Sequence, residues 1–252
     1  MLTVTSFVLG PFETNCFVLA FGDDAGAGDA RDTKHQPTRC WVVDAGYEPD
    51  PMIEHIQSHN LVPEAIILTH AHADHIAGLR KMRAAFPGTP VLIHEAERDW
   101  LADPQKNLSA AVGIPVTASP PDRLLSGDDL LVPGTLATST TPTTTLTTTP
   151  TPPTTTASTD NPAFQVLATP GHSPGGITLY CPARKIAFVG DSLFASSIGR
   201  TDFPGSDFAT LAKSIREKLY TLPDDTRVMP GHGPETTIGH ERISNPFVQE
   251  QE

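Results

Sequence analysis

The apolar run that ends at Leu68 is followed at once by THAHADH (69–75), which sets three histidines and an aspartate within six positions. A related pattern recurs three times: FQVLATPGH runs into His172, KIAFVGD into Asp191 and RVMPGHG into His232. In each, a short apolar stretch of strand character stops at a metal-ligand type of side chain beside glycine. A chain that repeats this pattern must gather the same ends of several strands at one place. Helix-covered sheets with Gly-rich turns along one edge do so. A single histidine after a strand is ordinary; five histidines and two aspartates in that setting form a set.

The first cluster has its own logic. Side chains alternate along extended backbone, so His70 and His72 point the same way. A helix starting at His75 turns Asp74 and His75 toward a neighbouring point. One turn therefore feeds two metal positions. A tight divalent site takes three or four protein ligands, and a catalytic one leaves a position for water, so this turn needs partners from elsewhere in the chain. His172, Asp191 and His232 supply them. The donors are nitrogen and oxygen, which suits zinc first and also accommodates iron or manganese.

The rest of the chain reads as strands alternating with helices. Residues 2–9 and 16–21 form two strands around a GPFETN turn, with further strands at 40–46, 65–68, 91–94, 164–172, 176–181, 185–191 and 227–233. Helical spacing marks 50–60, 75–86, 95–103 and 207–220, the last with Ser206 and Asp207 as candidate caps. Residues 22–39 are polar and aperiodic, a long loop. Residues 133–162 are almost entirely Thr, Pro, Ser and Ala, and hold six of the chain's 25 prolines. That segment carries little to bury and reads as a low-complexity insertion between strands of a single domain spanning 1–252.

Composition excludes some classes of function. The net charge of −12 argues against nucleic acid as a partner, which calls for a basic face. No apolar run approaches the roughly 18 residues of a membrane span. The N-terminus lacks the basic and small-residue signals of a leader and reads as folded structure. Cys16, Cys40 and Cys181 are far apart without a CxxC, as expected of reduced, buried thiols in a cytoplasmic protein.

THAHADH, PGHSPG, GD and PGHG, in this order and at these distances, resemble the metallo-β-lactamase superfamily. LFASSIGRTDFPG (193–205), PGHGPETTIGHERISNPF (230–247) and DPQKNLSAAVG (103–113) are similar to the single-domain glyoxalase II-like (hydroxyacylglutathione hydrolase-like) hydrolases. The resemblance covers the chain apart from 22–39 and 133–162. It implies an α/β fold, a four-layer αβ/βα sandwich with the site at one edge of its sheets. It also implies two metal ions, the first on His70, His72 and His172, the second on Asp74, His75 and His232, with Asp191 between them. The implied reaction is thioester hydrolysis by a hydroxide formed between the metals, with Asp74 as the catalytic residue that orients it. The partner is then a small-molecule thioester of the hydroxyacylglutathione type.

Arg200 is the candidate for binding a substrate carboxylate, ahead of Arg242 and Lys106; its other reading is a pair with Asp202 that braces its loop. Asp44 and Thr69 are expected to hydrogen-bond ligand histidines. His94 and His240 read as structural, and His35, His55 and His59 as surface. Three other functions share parts of this pattern: a persulfide dioxygenase with one iron, a lactonase, and a binding protein without activity. The complete set of seven donors argues against the last.

Overall fold

The structure, a computed structural model, describes residues 1–22, 37–136 and 162–249. Two six-stranded sheets face each other. The first contains β1 (Leu2–Leu9), β2 (Thr14–Phe21), β3 (Thr38–Val43), β4 (Leu61–Ile67), β5 (Val91–His94) and β6 (Arg123–Leu125), in that spatial order. The β1–β2–β3 portion is antiparallel and β3 to β6 run parallel. The second sheet holds β7 (Leu130–Leu131), β8 (Phe164–Ala168), β9 (Ile177–Cys181) and β10 (Ile186–Gly190). A short ribbon of β11 (Leu193–Phe194) and β12 (Ser197–Ile198) follows. The sheet is then completed by β13 (Arg227–Pro230), parallel to β10, and by β14 (Thr236–Thr237) at its edge.

Strand alternation separates the core into three layers of packing. Phe17, Leu19, Trp41, Val43 and Ile67 face Phe164, Val166, Leu179, Phe188 and Met229 between the sheets. The alternate residues Val18, Cys40, Val42 and Ile66 turn outward. They are covered by Met52 and Ile56 of α1 (Asp50–Ser58), Ile76 of α2 (Ala73–Ile76), and Leu79 and Met82 of α3 (Leu79–Ala85). On the far side, Ala187, Val189 and Val228 pack under Leu211 of α4 (Phe208–Ser214) and Ile238 of α5 (Ile238–Ser244). This burial on both faces explains why β3, β4 and β10 read as nearly continuous apolar runs. The four-layer αβ/βα sandwich is present as expected.

Four local expectations need correction. The helix expected over 75–86 is two helices, broken at Ala77–Gly78. Gly78 presses against the end of the β3 loop, its N–H donating to Ala45 O at 2.8 Å; a Cβ there would lie 2.4 Å from Gly46 O. Residues 95–103 form two 3₁₀ turns, Glu95–Glu97 and Trp100–Ala102, because Glu97 turns inward rather than lying on a solvent face. The 207–220 helix is α4 continued by a π-helical stretch, Ile215–Leu219, and Asp207 rather than Ser206 caps it. The elements β6, β7, β11, β12, β14 and α5 have no counterpart in the periodicity; all are short, and the strands among them hold two or three residues.

The Thr/Pro-rich segment lies mostly outside the described residues, but its flanks are packed. Leu136 is buried in the inter-sheet core, Gly134 N–H donates to Glu64 Oε2 at 2.9 Å, and Pro162 is buried. Most of the 22–39 loop, with His35, is likewise outside them, and β3 already begins at Thr38. Among the described residues, no helix is long and apolar enough to cross a membrane.

Candidate metal centre

The donor residues sit where strands end at a common edge. β4 delivers Thr69 and His70, His72 caps α2, and Asp74 and His75 lie within that helix. His72 thus precedes the helix and His75 lies within it, instead of His75 opening it. The turn between β8 and β9 carries His172, the end of β10 carries Asp191, and the end of β13 carries His232. Gly231 allows a close approach: a Cβ there would stand 2.2 Å from Asp191 Oδ1 and 2.8 Å from His75 Cε1.

All seven predicted donors converge. Three overlapping groups have ligand atoms lying within 4.8 Å of one another: His70 with His72 and His172; His70 with His75 and Asp191; and Asp74 with His75 and His232. His72 Nδ1 and His172 Nε2 face each other at 2.9 Å. His232 Nε2 is 3.1 Å from Asp74 Oδ2 and 3.5 Å from Asp191 Oδ2, which is itself 3.5 Å from His172 Nε2. His75 Nε2 is 3.4 Å from Asp74 Oδ2 and 3.3 Å from Asp191 Oδ1.

This arrangement fits bound cations. His70 Nε2, His72 Nε2, His75 Nε2 and Asp191 Oδ1 are buried without an aligned hydrogen bond among the described residues, a costly state for polar atoms unless something electropositive meets them. Burial, reinforced by neighbouring histidines, holds His70 well below the ordinary histidine value and lowers His72 to about 3. Both rings are therefore neutral, the form that donates a lone pair to a metal. At His75 burial opposes charge, but Asp74, Asp191 and Asp44 outweigh it and raise the value well above normal. His232 rises to about 10, its bonds to Asp191 and Asp74 overcoming burial. That half of the cluster attracts positive charge.

Outer contacts aim the ligands. His75 Nδ1 meets Asp44 Oδ2 at 2.9 Å, His172 Nδ1 donates to Arg200 O at 2.8 Å, and His232 Nδ1 to Phe12 O at 3.0 Å. Thr69 Oγ1 donates to Asp44 Oδ2 at 2.7 Å and lies 3.1 Å from His70 Nδ1. Asp44 and Thr69 stand where expected.

The sequence reading missed three residues. Glu97, fully buried, accepts from Ala71 N–H at 2.6 Å and Gly175 N–H at 2.7 Å, and so ties the His70/His72 turn to the loop that follows His172. Thr14 Oγ1 donates to Asp74 Oδ2 at 3.0 Å. Asn15 Nδ2 donates to Pro230 O and Gly233 O, clasping the His232 turn. No local signal separates Glu97 from its exposed neighbour Glu95; only its burial does.

Arg200 lines the cavity beside the cluster, yet its guanidinium forms two bonds to Asp202, at 2.9 and 2.7 Å. Arg242 pairs with Asp224 and donates to the Tyr220 and Leu222 carbonyls, a bracing role, and Lys106 is exposed away from the cavity lining. His94 accepts from Ala96 N–H, His55 and His59 stack on each other at the end of α1, and His240 is exposed.

Residues 35–232 match the metallo-beta-lactamase superfamily, and the chain belongs to it. The coarse activity comes with the family: a metallo-hydrolase. The chain is 36% identical to Probable metallo-hydrolase YqgX of Bacillus subtilis over 95% of this chain and 94% of that protein. It is 32% identical to Hydroxyacylglutathione hydrolase GloC of Haemophilus influenzae, over 82% and 86% respectively. Among solved structures it is similar to the BLEG-1 B3 metallo-beta-lactamase, with a TM-score of 0.79 and 36% identity over 98% of this chain and all of that one. It is also similar to TTHA1623 in a di-iron-bound form, with a TM-score of 0.68 and 30% identity over 96% and 99%.

Proposed function

We propose that this chain hydrolyses a thioester of the hydroxyacylglutathione type at a two-metal centre. His70, His72 and His172 hold one ion, Asp74, His75 and His232 hold the other, and Asp191 lies between them. The observation that carries this reading is the position of Asp191, whose carboxylate oxygens lie within 3.5 Å of His75, His172 and His232 at once and so touch both donor trios. The similarity to GloC supports the thioester, and the similarity to a di-iron structure supports the pair of metals. Zinc is the expected metal, with iron or manganese compatible with the same donors.

Bound there, the two cations would make hydroxide available near neutral pH and polarise the scissile carbonyl, so that oxygen replaces sulfur on the acyl carbon. The protein's part is to fix the donors and shape the space. Burial keeps His70 and His72 neutral. Asp44 fixes the His75 ring by its far nitrogen. Burial opposes ionisation of Asp74, but His75 and a bond to His232 hold its carboxyl down at about 2. Asp74 therefore remains a carboxylate at the cavity edge, held by Thr14, where it can orient the attacking oxygen. The departing thiolate is a weak base and needs little help from an acid.

Metal content of the purified protein, measured beside hydrolysis of S-D-lactoylglutathione, tests the proposal. About two metals per chain with thioester turnover is the expected result. One iron per chain, oxygen uptake on glutathione persulfide and no thioester turnover would replace it with the dioxygenase.

A further inference from the structure

The space beside the donor cluster is a cavity of about 790 Å³, within the usual range for binding a small molecule. Its apolar lining is built from Phe12, Leu108, Val112, Phe194, Ile198 and Phe203, with Phe203 packed against His72 and His172 and Phe194 against His232. Phe12 and Val112 are 46% and 48% exposed, a costly placement for large apolar side chains that a ligand would cover. The wall is deliberately held. Asn107, fully buried, donates to Trp100 O and Val116 O, and its Oδ1 accepts from Ser109 N–H and Oγ. Its own carbonyl accepts from Ala73 N–H at the start of the ligand-bearing helix. Next to it, Leu108 is kept at φ +66, a conformation rarely adopted by a leucine, and follows directly into the 110–112 wall. From the other side, buried Glu241 accepts from Ser196 N–H, and Asn245 donates both to Glu241 and to Ser197 O, which pins the β11–β12 ribbon carrying Phe194 and Ile198.

The charges tell the same story. Among the described residues lining the cavity, Arg200 is the one arginine or lysine, and its guanidinium is engaged by Asp202 and lies 4.3 Å over the Phe203 ring. A thioester whose bulk is an anionic peptide would find little here to meet its carboxylates. One with an apolar chain would cover Phe12, Leu108 and Val112.

We infer that this wall binds an apolar acyl chain, so that the preferred substrates are uncharged thioesters of medium-length fatty acyl groups rather than short hydroxyacyl ones. The inference rests on the thioester-hydrolysis part of the reading above and departs from its hydroxyacylglutathione substrate class. The reaction consumes water at the acyl carbon, breaks the C–S bond and releases a carboxylate and a thiol.

The test uses the full-length metal-loaded chain and a series of acyl thioesters on one small uncharged thiol, N-acetylcysteamine: lactoyl, acetyl, butyryl, hexanoyl and octanoyl. We expect kcat/KM to rise by about two- to fourfold per added methylene, as burial of each methylene predicts. Val112→Asp, at a half-exposed position that tolerates charge in the fold, should lower the octanoyl-to-acetyl ratio about tenfold. Phe12→Ser should do the same in part. A readout independent of turnover is the binding of the thioether analogues, with CH₂ in place of the carbonyl. The octanoyl analogue should bind more tightly than the acetyl one, and Val112→Asp should narrow the gap. A flat or falling series with thioester turnover intact, or S-D-lactoylglutathione outpacing the octanoyl thioester, overturns the acyl-chain inference alone. Two bound metals with no turnover of any member of the series or of S-D-lactoylglutathione overturns the thioester reading, and this inference with it.

Discussion

His70, His72 and His172 stand together as three buried nitrogen donors, whereas Asp74 and His232 gather, with fully buried His75, among carboxylates; two members of each trio line the cavity. The side chains of Asp74 and His232 are 19% and 28% exposed, against 7% for His172. At His70 and His72 burial suppresses charge; at His75 and His232 neighbouring aspartates outweigh burial and draw it in. The same edge of the sheets thus prepares one position by removing water and the other by concentrating negative charge. The difference teaches that the two donor trios of one cluster need not be alike. Its halves should respond differently when their supports are removed.

The largest effect is expected where the first half itself is broken. His72→Ala should abolish turnover and lower bound metal, losing more than the roughly 100-fold that an outer partner costs. Full activity with normal metal content in that variant would remove the ligand assignment. Next come the supports. Glu97→Gln replaces an acceptor of two backbone N–H groups with an amide that can satisfy only one, so the turn carrying His70 and His72 loosens from the His172 loop. Metal affinity should fall about 10- to 100-fold, seen in a chelator titration as earlier loss of the deeper ion. Asp44→Asn should weaken the other half by a comparable factor through His75, although its bonds to Thr69 carry part of the effect to His70. If both variants lose the same ion first, the halves are not independent.

Smaller effects bound the comparison. Removing residues 138–160 should shift the melting temperature by no more than about 2 °C and leave turnover intact, since that stretch has little apolar surface to bury. Its flanks are already adjacent, with Leu131 paired to Phe164 across β7 and β8. A large loss of melting temperature would make the segment part of the fold. Least affected should be the thiols. Burial raises Cys16 and Cys40 to about 12, so at pH 8 the native chain should resist alkylation, and all three cysteines should react once it unfolds.

What could be read in advance follows from how far each signal reaches along the chain. His70, His172, Asp191 and His232 announce themselves because each directly follows an apolar strand, a local pattern. That helices cover the sheets was legible from the alternation of elements, and β3, β4 and β10 carry apolar side chains for both faces; the four-layer arrangement came from the likeness of the motifs to the metallo-β-lactamase superfamily. Glu97 was not legible, because a glutamate becomes a structural acceptor only when Ala71 and Gly175, brought in by different loops, meet it. The expected 95–103 helix is replaced by two 3₁₀ turns around the buried Glu97. Asn15 and Asn107 are hidden alike, as side chains whose partners lie on other segments. Arg200 was correctly placed beside the site, but the structure gives its guanidinium to Asp202 and its carbonyl to His172.

The clasp between Asn15 and the turn at 230–233 has a consequence for how the site comes into being. Thr14 and His232 pair as a β-bridge, and Asn15 N–H reaches Gly231 O at 2.7 Å, so the opening strands of the chain finish a site whose last donor is made near its end. During synthesis the residues from 14 to 75 emerge long before their partner. The trio of Asp74, His75 and His232 cannot be completed until His232 has left the ribosome and docked on β2. A cation bound there would then mark the moment at which the segments around Thr14 and His232 have found each other, and would hold them together from then on.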